Sequence, residues 1–225
     1  MFLDRTDAGR QLAQRLAAYA NRDDVLVLGI PRGGVPVAFE VAQALRAPLD
    51  ILLVRKLGAP GQKELAMGAI ASGGVRVLNE DVIRDLGISE AELAAAVTEQ
   101  EAELKRREEL FRGVRPAIDV RGKTAILVDD GIATGSSMLA AVDALRSLQP
   151  ARIVVATPVA PPQAEAQLER VADEFVCVGA PEWFFGISEF YQRFPQTEDS
   201  EVQALLGRAR EAPAPSQKAE GSQAA

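Results

Sequence analysis

AILVDDGIATGSS, residues 125–137, sets three kinds of segment end to end. Four apolar residues, Ala125 to Val128, run straight into the paired carboxylates Asp129 and Asp130. A short apolar run closed by turn residues reads as a buried parallel strand. Gly131 then permits a turn, and Ala133, Thr134, Gly135, Ser136 and Ser137 lead into an amphipathic run. Small hydroxylated residues and glycine at the start of a helix leave backbone N–H groups unpaired and aimed outward, which suits an anion. Two carboxylates beside such a cradle call for a ligand with phosphate and either hydroxyls or a divalent cation. A sugar phosphate meets that description. VDDG by itself reads equally as a strand capped by an Asp-Gly turn, so the weight rests on the whole stretch in order.

Upstream, VLVLGI (residues 25–30) is another buried strand, closed by Pro31-Arg32-Gly33-Gly34. Two glycines let the backbone approach a ligand closely. Arg32 falls at a strand's carboxyl end, where open α/β sheets bind their ligands. The glycine spacing matches neither GxGxxG nor a Walker A loop, so two common nucleotide motifs are excluded. Residues 35–46 read as a helix and LDILLV (49–54) as a strand, closed by Arg55 and Lys56 and followed by the loop LGAPGQKELAMG (57–68). AIASGGVRVL (69–78) alternates apolar and polar residues about Ser72-Gly73-Gly74 and reads as a hairpin.

Residues 79–88 read as a connector. Ser89 with Glu92 forms a capping box that opens a helix to about Phe111, whose charged face reads as solvated. Downstream come a helix over 136–148, a strand over 152–160, a helix to about Ala172, the strand EFVCVG (174–179) and a helix over 200–210. Near the start, residues 7–20 place Leu12, Leu16 and Tyr19 on one helical face, suited to a sheet edge and without chemistry of its own. Alternating strands and helices imply an α/β fold: a parallel twisted sheet of about five strands flanked by helices, with right-handed crossovers. The loops after the strands at 25–30, 49–54 and 125–128 then share one edge of that sheet. The expected organisation is a single domain over 1–210, with a helical insertion at 79–113, an aromatic hood at 180–196 and a disordered polar tail at 211–225.

Composition narrows the chemistry. The chain has 225 residues, enough for one α/β domain with a substantial core. A net charge of −7 argues against a general nucleic-acid surface. No histidine occurs, so Ser-His and Cys-His nucleophilic mechanisms are excluded. The single Cys177 excludes an internal disulfide and reads as a small buried hydrophobe. With no long apolar run and no signal-peptide pattern, the expectation is a cytoplasmic protein, free of the membrane.

The stretch at 125–137 resembles the phosphoribosyl-diphosphate (PRPP) motif of type I phosphoribosyltransferases. That resemblance spans roughly residues 22–180 and implies a Mg²⁺-dependent transfer of ribose 5-phosphate from PRPP to a nucleobase-like nitrogen. It implies that Asp129 and Asp130 hold ribose, with Mg²⁺ nearby, and that Gly131 and Ala133 to Ser137 hold the 5′-phosphate. Arg32, Gly33 and Gly34 resemble the family's pyrophosphate loop. Residues 57–67 resemble its mobile loop, with Arg55 and Lys56 on pyrophosphate and Glu64 as a candidate proton acceptor. Trp183, Phe184 and Phe185 stand where such a family's hood covers the base. Purine-type members for hypoxanthine and guanine carry an aspartate where this chain has Ala133. A PRPP-sensing regulator without catalysis is the alternative that the same resemblance allows; homo-oligomers are compatible with either.

Overall fold

The computed structural model describes residues 1–211, with the side chains of Lys63 and Glu64 also outside the described part. All of the expected tail except Glu211 therefore lies outside the described residues. The elements run α1 (Arg5–Arg15), β1 (Val25–Gly29), α2 (Gly34–Leu45), β2 (Leu49–Ile51), β3 (Val54–Ala59), β4 (Gln62–Ala71) and β5 (Val75–Leu78). There follow α3 (Glu80–Asp85), α4 (Glu90–Arg112), β6 (Thr124–Val128), α5 (Ser136–Ser147), β7 (Arg152–Val159), α6 (Pro162–Leu168), β8 (Glu174–Gly179) and α7 (Asp199–Glu211).

Five strands form one sheet in the order β2-β1-β6-β7-β8, and every neighbouring pair is parallel. The strands read as continuous apolar runs because both faces are covered. Val25, Val27, Ile126 and Val128 join one core with α1, α2 and α7, while Leu26, Leu28, Ala125 and Leu127 join a second with α5 and α6. Strand order reverses between β1 and β6, since β2 lies to one side of β1 and β7 and β8 lie beyond β6. Open α/β sheets bind ligands at such a switch point, beyond the carboxyl ends of the strands.

The segment after β2 departs from the expectation. LDILLV is not one strand: the main-sheet strand ends at Ile51, and Leu53 exchanges hydrogen bonds with Ser72 as the chain enters a second sheet. Residues 57–68 are not a loop but most of a hairpin, in which β3 pairs antiparallel with β4 and β4 with β5. Pro60 and Gly61 make the turn; Ala59 pairs with Gln62, and Gly61 has φ 73°. A Pro-Gly pair suits a type II turn, whose third residue needs positive φ. This small sheet packs between α4 and α5.

Three helical boundaries also differ. The connector at 79–88 contains α3, capped by the Asn79 side chain on the Val82 N–H at 3.2 Å. The first helix begins at Arg5 and ends at Arg15, with a 3₁₀ turn at Ala17–Tyr19, and it packs chiefly on α2 as well as on β7 and β8. α6 stops at Leu168 rather than near Ala172. The Ser89–Glu92 capping box on α4 forms as expected. Arg112, at the last turn of α4, is buried: its Nε lies 2.9 Å from Asp50 Oδ1 on β2, and it also donates to the Ile51 carbonyl.

Candidate active site

Two loops meet at the switch point. β1 delivers Ile30 to Gly34 and β6 delivers Asp129 to Gly135, and the Ile30 N–H donates to the Val128 carbonyl at 2.9 Å. In the first loop the Pro31–Arg32 peptide is cis. A Cβ on Gly33 would sit 2.0 Å from Asp130 Oδ2, and one on Gly34 would sit 2.6 Å from the Val128 carbonyl oxygen. Glycine is what lets this loop lie on the acidic pair. Arg32 extends from it, with Nη1 3.6 Å from Asp199 Oδ1 at the start of α7.

The acidic pair is held by its surroundings. Asp129 Oδ1 accepts the Asp130 N–H at 2.8 Å. Asp130 Oδ2 accepts Arg5 Nε from α1 at 2.7 Å, and its backbone carbonyl accepts the Tyr191 hydroxyl at 2.5 Å. Burial, reinforced by the neighbouring Asp130 charge, raises the Asp129 carboxyl well above the usual carboxylate range. Burial raises Asp130 as well, against the opposing pull of Arg5. Such a pair is electrostatically prepared for a cation or for hydroxyl donors.

The next turn is open. Ala133, Thr134, Ser136 and Ser137 are exposed, and Gly135 takes a left-handed conformation immediately before α5. Thr134 Oγ1 lies 3.2 Å from Ser136 Oγ and accepts the Ser136 N–H at 3.4 Å. The remaining first-turn N–H groups of a twelve-residue helix have no carbonyl of their own to bond. Such an N-terminus favours a phosphate.

The other candidate residues are distributed more widely. Arg55 donates from β3 to Gln100 Oε1 on α4 at 3.0 Å, while Lys56 is exposed on the same strand. Glu64 lies on β4, with its side chain outside the described part. In the aromatic segment, Ile187 covers Gly131, where a Cβ would come within 2.4 Å of the isoleucine side chain. Phe184 stacks on Phe190 at 5.2 Å between ring centres, whereas Trp183 and Phe185 are 78% and 83% exposed. The segment that carries Ile187 therefore packs against the acidic turn.

Residues 3–193 match the phosphoribosyl transferase domain. The chain belongs to the phosphoribosyl transferase family. Two Mycobacterium tuberculosis proteins, one from each of two strains, carry the provisional name of phosphoribosyl transferase; each is 51% identical to it over 209 residues, or 93% of this chain. The chain spans about half the length of these curated relatives, 47% in each case. The crystal structure of a Thermus thermophilus protein, TT1426, is 42% identical, with a TM-score of 0.83, covering 91% of this chain and 97% of that one. Among the described residues no helix is long and apolar enough to cross a membrane.

Two residues that contact the acidic turn, Arg5 and Tyr191, are not among those the sequence points to. Tyr191 lay within the aromatic segment but was not singled out. Arg5 left one faint signal: it opens α1, where the helix dipole disfavours a positive charge.

Proposed function

We propose that the protein transfers ribose 5-phosphate from PRPP to a nucleobase-like nitrogen acceptor and releases pyrophosphate. The observation that carries this reading is the contact between the Gly33–Gly34 loop and the buried Asp129–Asp130 pair at the switch point. A close-approach loop, paired carboxylates and an open helix N-terminus all follow from β1 and β6 at the switch point. In the proposed reaction the bond from C1′ to pyrophosphate oxygen breaks, the bond from C1′ to the acceptor nitrogen forms, and the nitrogen's proton leaves. The α5 N-terminus would anchor the 5′-phosphate, and Arg32 with the Gly33 and Gly34 backbone would take the pyrophosphate. Asp129 and Asp130 would hold the ribose hydroxyls and favour the cationic ring. Anchors at both ends hold C1′ toward the acceptor.

The donor set suits Mg²⁺ in the way phosphate-transfer sites usually hold it. Among the described residues no three His, Cys, Asp or Glu side chains converge as a metal cage. A pair of carboxylates that shares the ion with substrate phosphates is the usual arrangement. When bound, Mg²⁺ would neutralise the charge that develops on the leaving pyrophosphate. Arg55 would have to leave Gln100 to reach that group. Trp183 and Phe185 offer exposed aromatic faces for a base, which Phe184 does not, being stacked on Phe190.

One observation favours the second reading, a PRPP-sensing regulator: Ala133 supplies no proton acceptor beside the acceptor nitrogen. An enzyme of this sequence would need another base, with Glu64 the candidate. The test is incubation with PRPP, Mg²⁺ and a panel of bases while pyrophosphate release is followed, together with calorimetric titration of PRPP. Catalysis predicts release with at least one base, little turnover of hypoxanthine or guanine, and a large loss of activity in Glu64→Gln. PRPP binding without release from any base selects the regulator, and no binding defeats both.

A further inference from the structure

Helix α1 shows no chemistry of its own in the sequence, yet its first residue is the only cation bonded to the acidic pair among the described residues. The Arg5 guanidinium is enclosed on three sides. Its Nε donates to Asp130 Oδ2 at 2.7 Å, its Nη1 donates to the Pro195 carbonyl at 2.6 Å, and its Cζ lies 3.8 Å from the centre of the Phe194 ring. Both charged side chains are only 11% exposed. A buried guanidinium held through Nε, Nη1 and its face has little freedom to leave.

The consequence falls on Asp130. Its Oδ2 lies between Arg5 and the backbone of Gly33, where no Cβ would fit, whereas Oδ1 lies farther from that loop, 3.2 Å from the same Cβ position. Arg5 therefore selects which carboxylate oxygen is occupied inside the protein and which is left for a ligand. It also keeps one of two adjacent buried carboxylates compensated, which lowers their mutual repulsion. Without it, an anionic ligand would meet an uncompensated acidic pair.

We infer that Arg5 is a positioning residue of the active site, acting through Asp130 to present one carboxylate oxygen to the sugar of the bound phosphoribosyl ligand. This rests on the PRPP reading above. The role differs from that of Arg32, which faces the leaving-group end.

The experiment is calorimetric titration of PRPP with Mg²⁺, of ribose 5-phosphate and of inorganic pyrophosphate. It uses the wild-type chain, Arg5→Ala, Arg5→Lys, Asp130→Asn and the Arg5→Ala/Asp130→Asn double variant. Arg5→Ala is expected to weaken ribose 5-phosphate and PRPP about tenfold or more, the scale of a charge-assisted bond. Pyrophosphate, which lacks the sugar, should lose clearly less affinity than either sugar ligand. Arg5→Lys should recover part of the loss, and Arg5→Ala should add nothing further in the Asp130→Asn background. Equal weakening toward pyrophosphate, or additive losses in the double variant, would reduce Arg5 to a fold-stabilising residue. Unchanged sugar affinity in Arg5→Ala would overturn the assignment too. If Arg5→Ala does not fold, Arg5→Lys against Asp130→Asn decides the same question. Absence of PRPP and ribose 5-phosphate binding in the wild type is a different failure: it defeats the PRPP reading itself.

Discussion

Gly33 and Gly34 differ in what a methyl group would strike. At Gly33 the added carbon meets the Asp130 carboxylate, a side chain; at Gly34 it meets the Val128 carbonyl and, at 2.9 Å, the Asp129 Cα, both backbone. Gly33→Ala should therefore push the Asp130 carboxylate off its Arg5 partner, weakening PRPP about tenfold or more and lowering stability as well. Gly34→Ala should cost about 1–3 kcal/mol of stability in urea denaturation, as overpacking does. Cys177 supplies a pH test. Burial pushes its thiol up to about 11, and Sγ contacts the Gly179 carbonyl at 3.1 Å. Because thiolate is the reactive form, Ellman's reagent at pH 8 should react more than about a hundredfold more slowly than with a free thiol, gaining about tenfold per pH unit toward 11. Cys177 is only partly buried, not fully buried as its apolar strand suggests, and fast labelling at pH 8 would show that even this shielding is absent. The residues within 125–137 were legible because the chemistry is contiguous in sequence. Arg5 was not, because its partner is 125 positions away and nothing local in α1 announces it.

At the level of elements, legibility followed how each strand is buried. The strands at 25–29, 124–128 and 174–179 came through within a residue or two because each is a continuous apolar run between polar breaks. LDILLV fused two strands because Leu52 and Leu53 are buried on both sides of the change of sheet, and periodicity carries no mark of a change of partner. The Pro-Gly turn was the available signal for the hairpin. Asp50 was another: an acidic residue within an apolar strand, buried against Arg112 with side chains 2% and 4% exposed. Its Oδ2 also accepts the Ile118 N–H at 3.0 Å, so this pair ties α4 and the return segment to the sheet edge. Arg112→Ala should lower stability by about 3–5 kcal/mol, because it strands a buried carboxylate. A loss below about 1 kcal/mol in equilibrium denaturation would contradict that role. The α7 helix offers a weaker contact: Asp199, half-exposed, pairs with Arg32, the side chain proposed to take pyrophosphate. Asp199→Asn should tighten pyrophosphate up to about fivefold and change stability by less than about 1 kcal/mol. Unchanged pyrophosphate affinity would remove Arg32 from the anion site.

Across the whole molecule, the site draws on segments far apart in the chain. The Phe2 N–H donates to the Phe190 carbonyl at 2.7 Å, the Gln192 N–H to the Phe2 carbonyl at 2.9 Å and the Arg193 N–H to the Leu3 carbonyl at 3.0 Å. Phe2 packs against Tyr191, whose hydroxyl reaches the acidic turn. The parallel sheet was legible from the alternation of elements; this stitching was not, since single hydrogen bonds between short extended segments leave no pattern in either. It also orders events in time. During synthesis, residues 2–5 leave the ribosome long before residues 190–195, so Arg5 has no Pro195 carbonyl or Phe194 ring to settle against until most of the sheet has been made. Contacts of such long separation form late. In refolding from urea, far-UV circular dichroism should therefore recover before PRPP binding does, and a chain released short of residue 190 should have its strands and the helices before α7 but lack the Phe194 and Pro195 contacts that clamp Arg5.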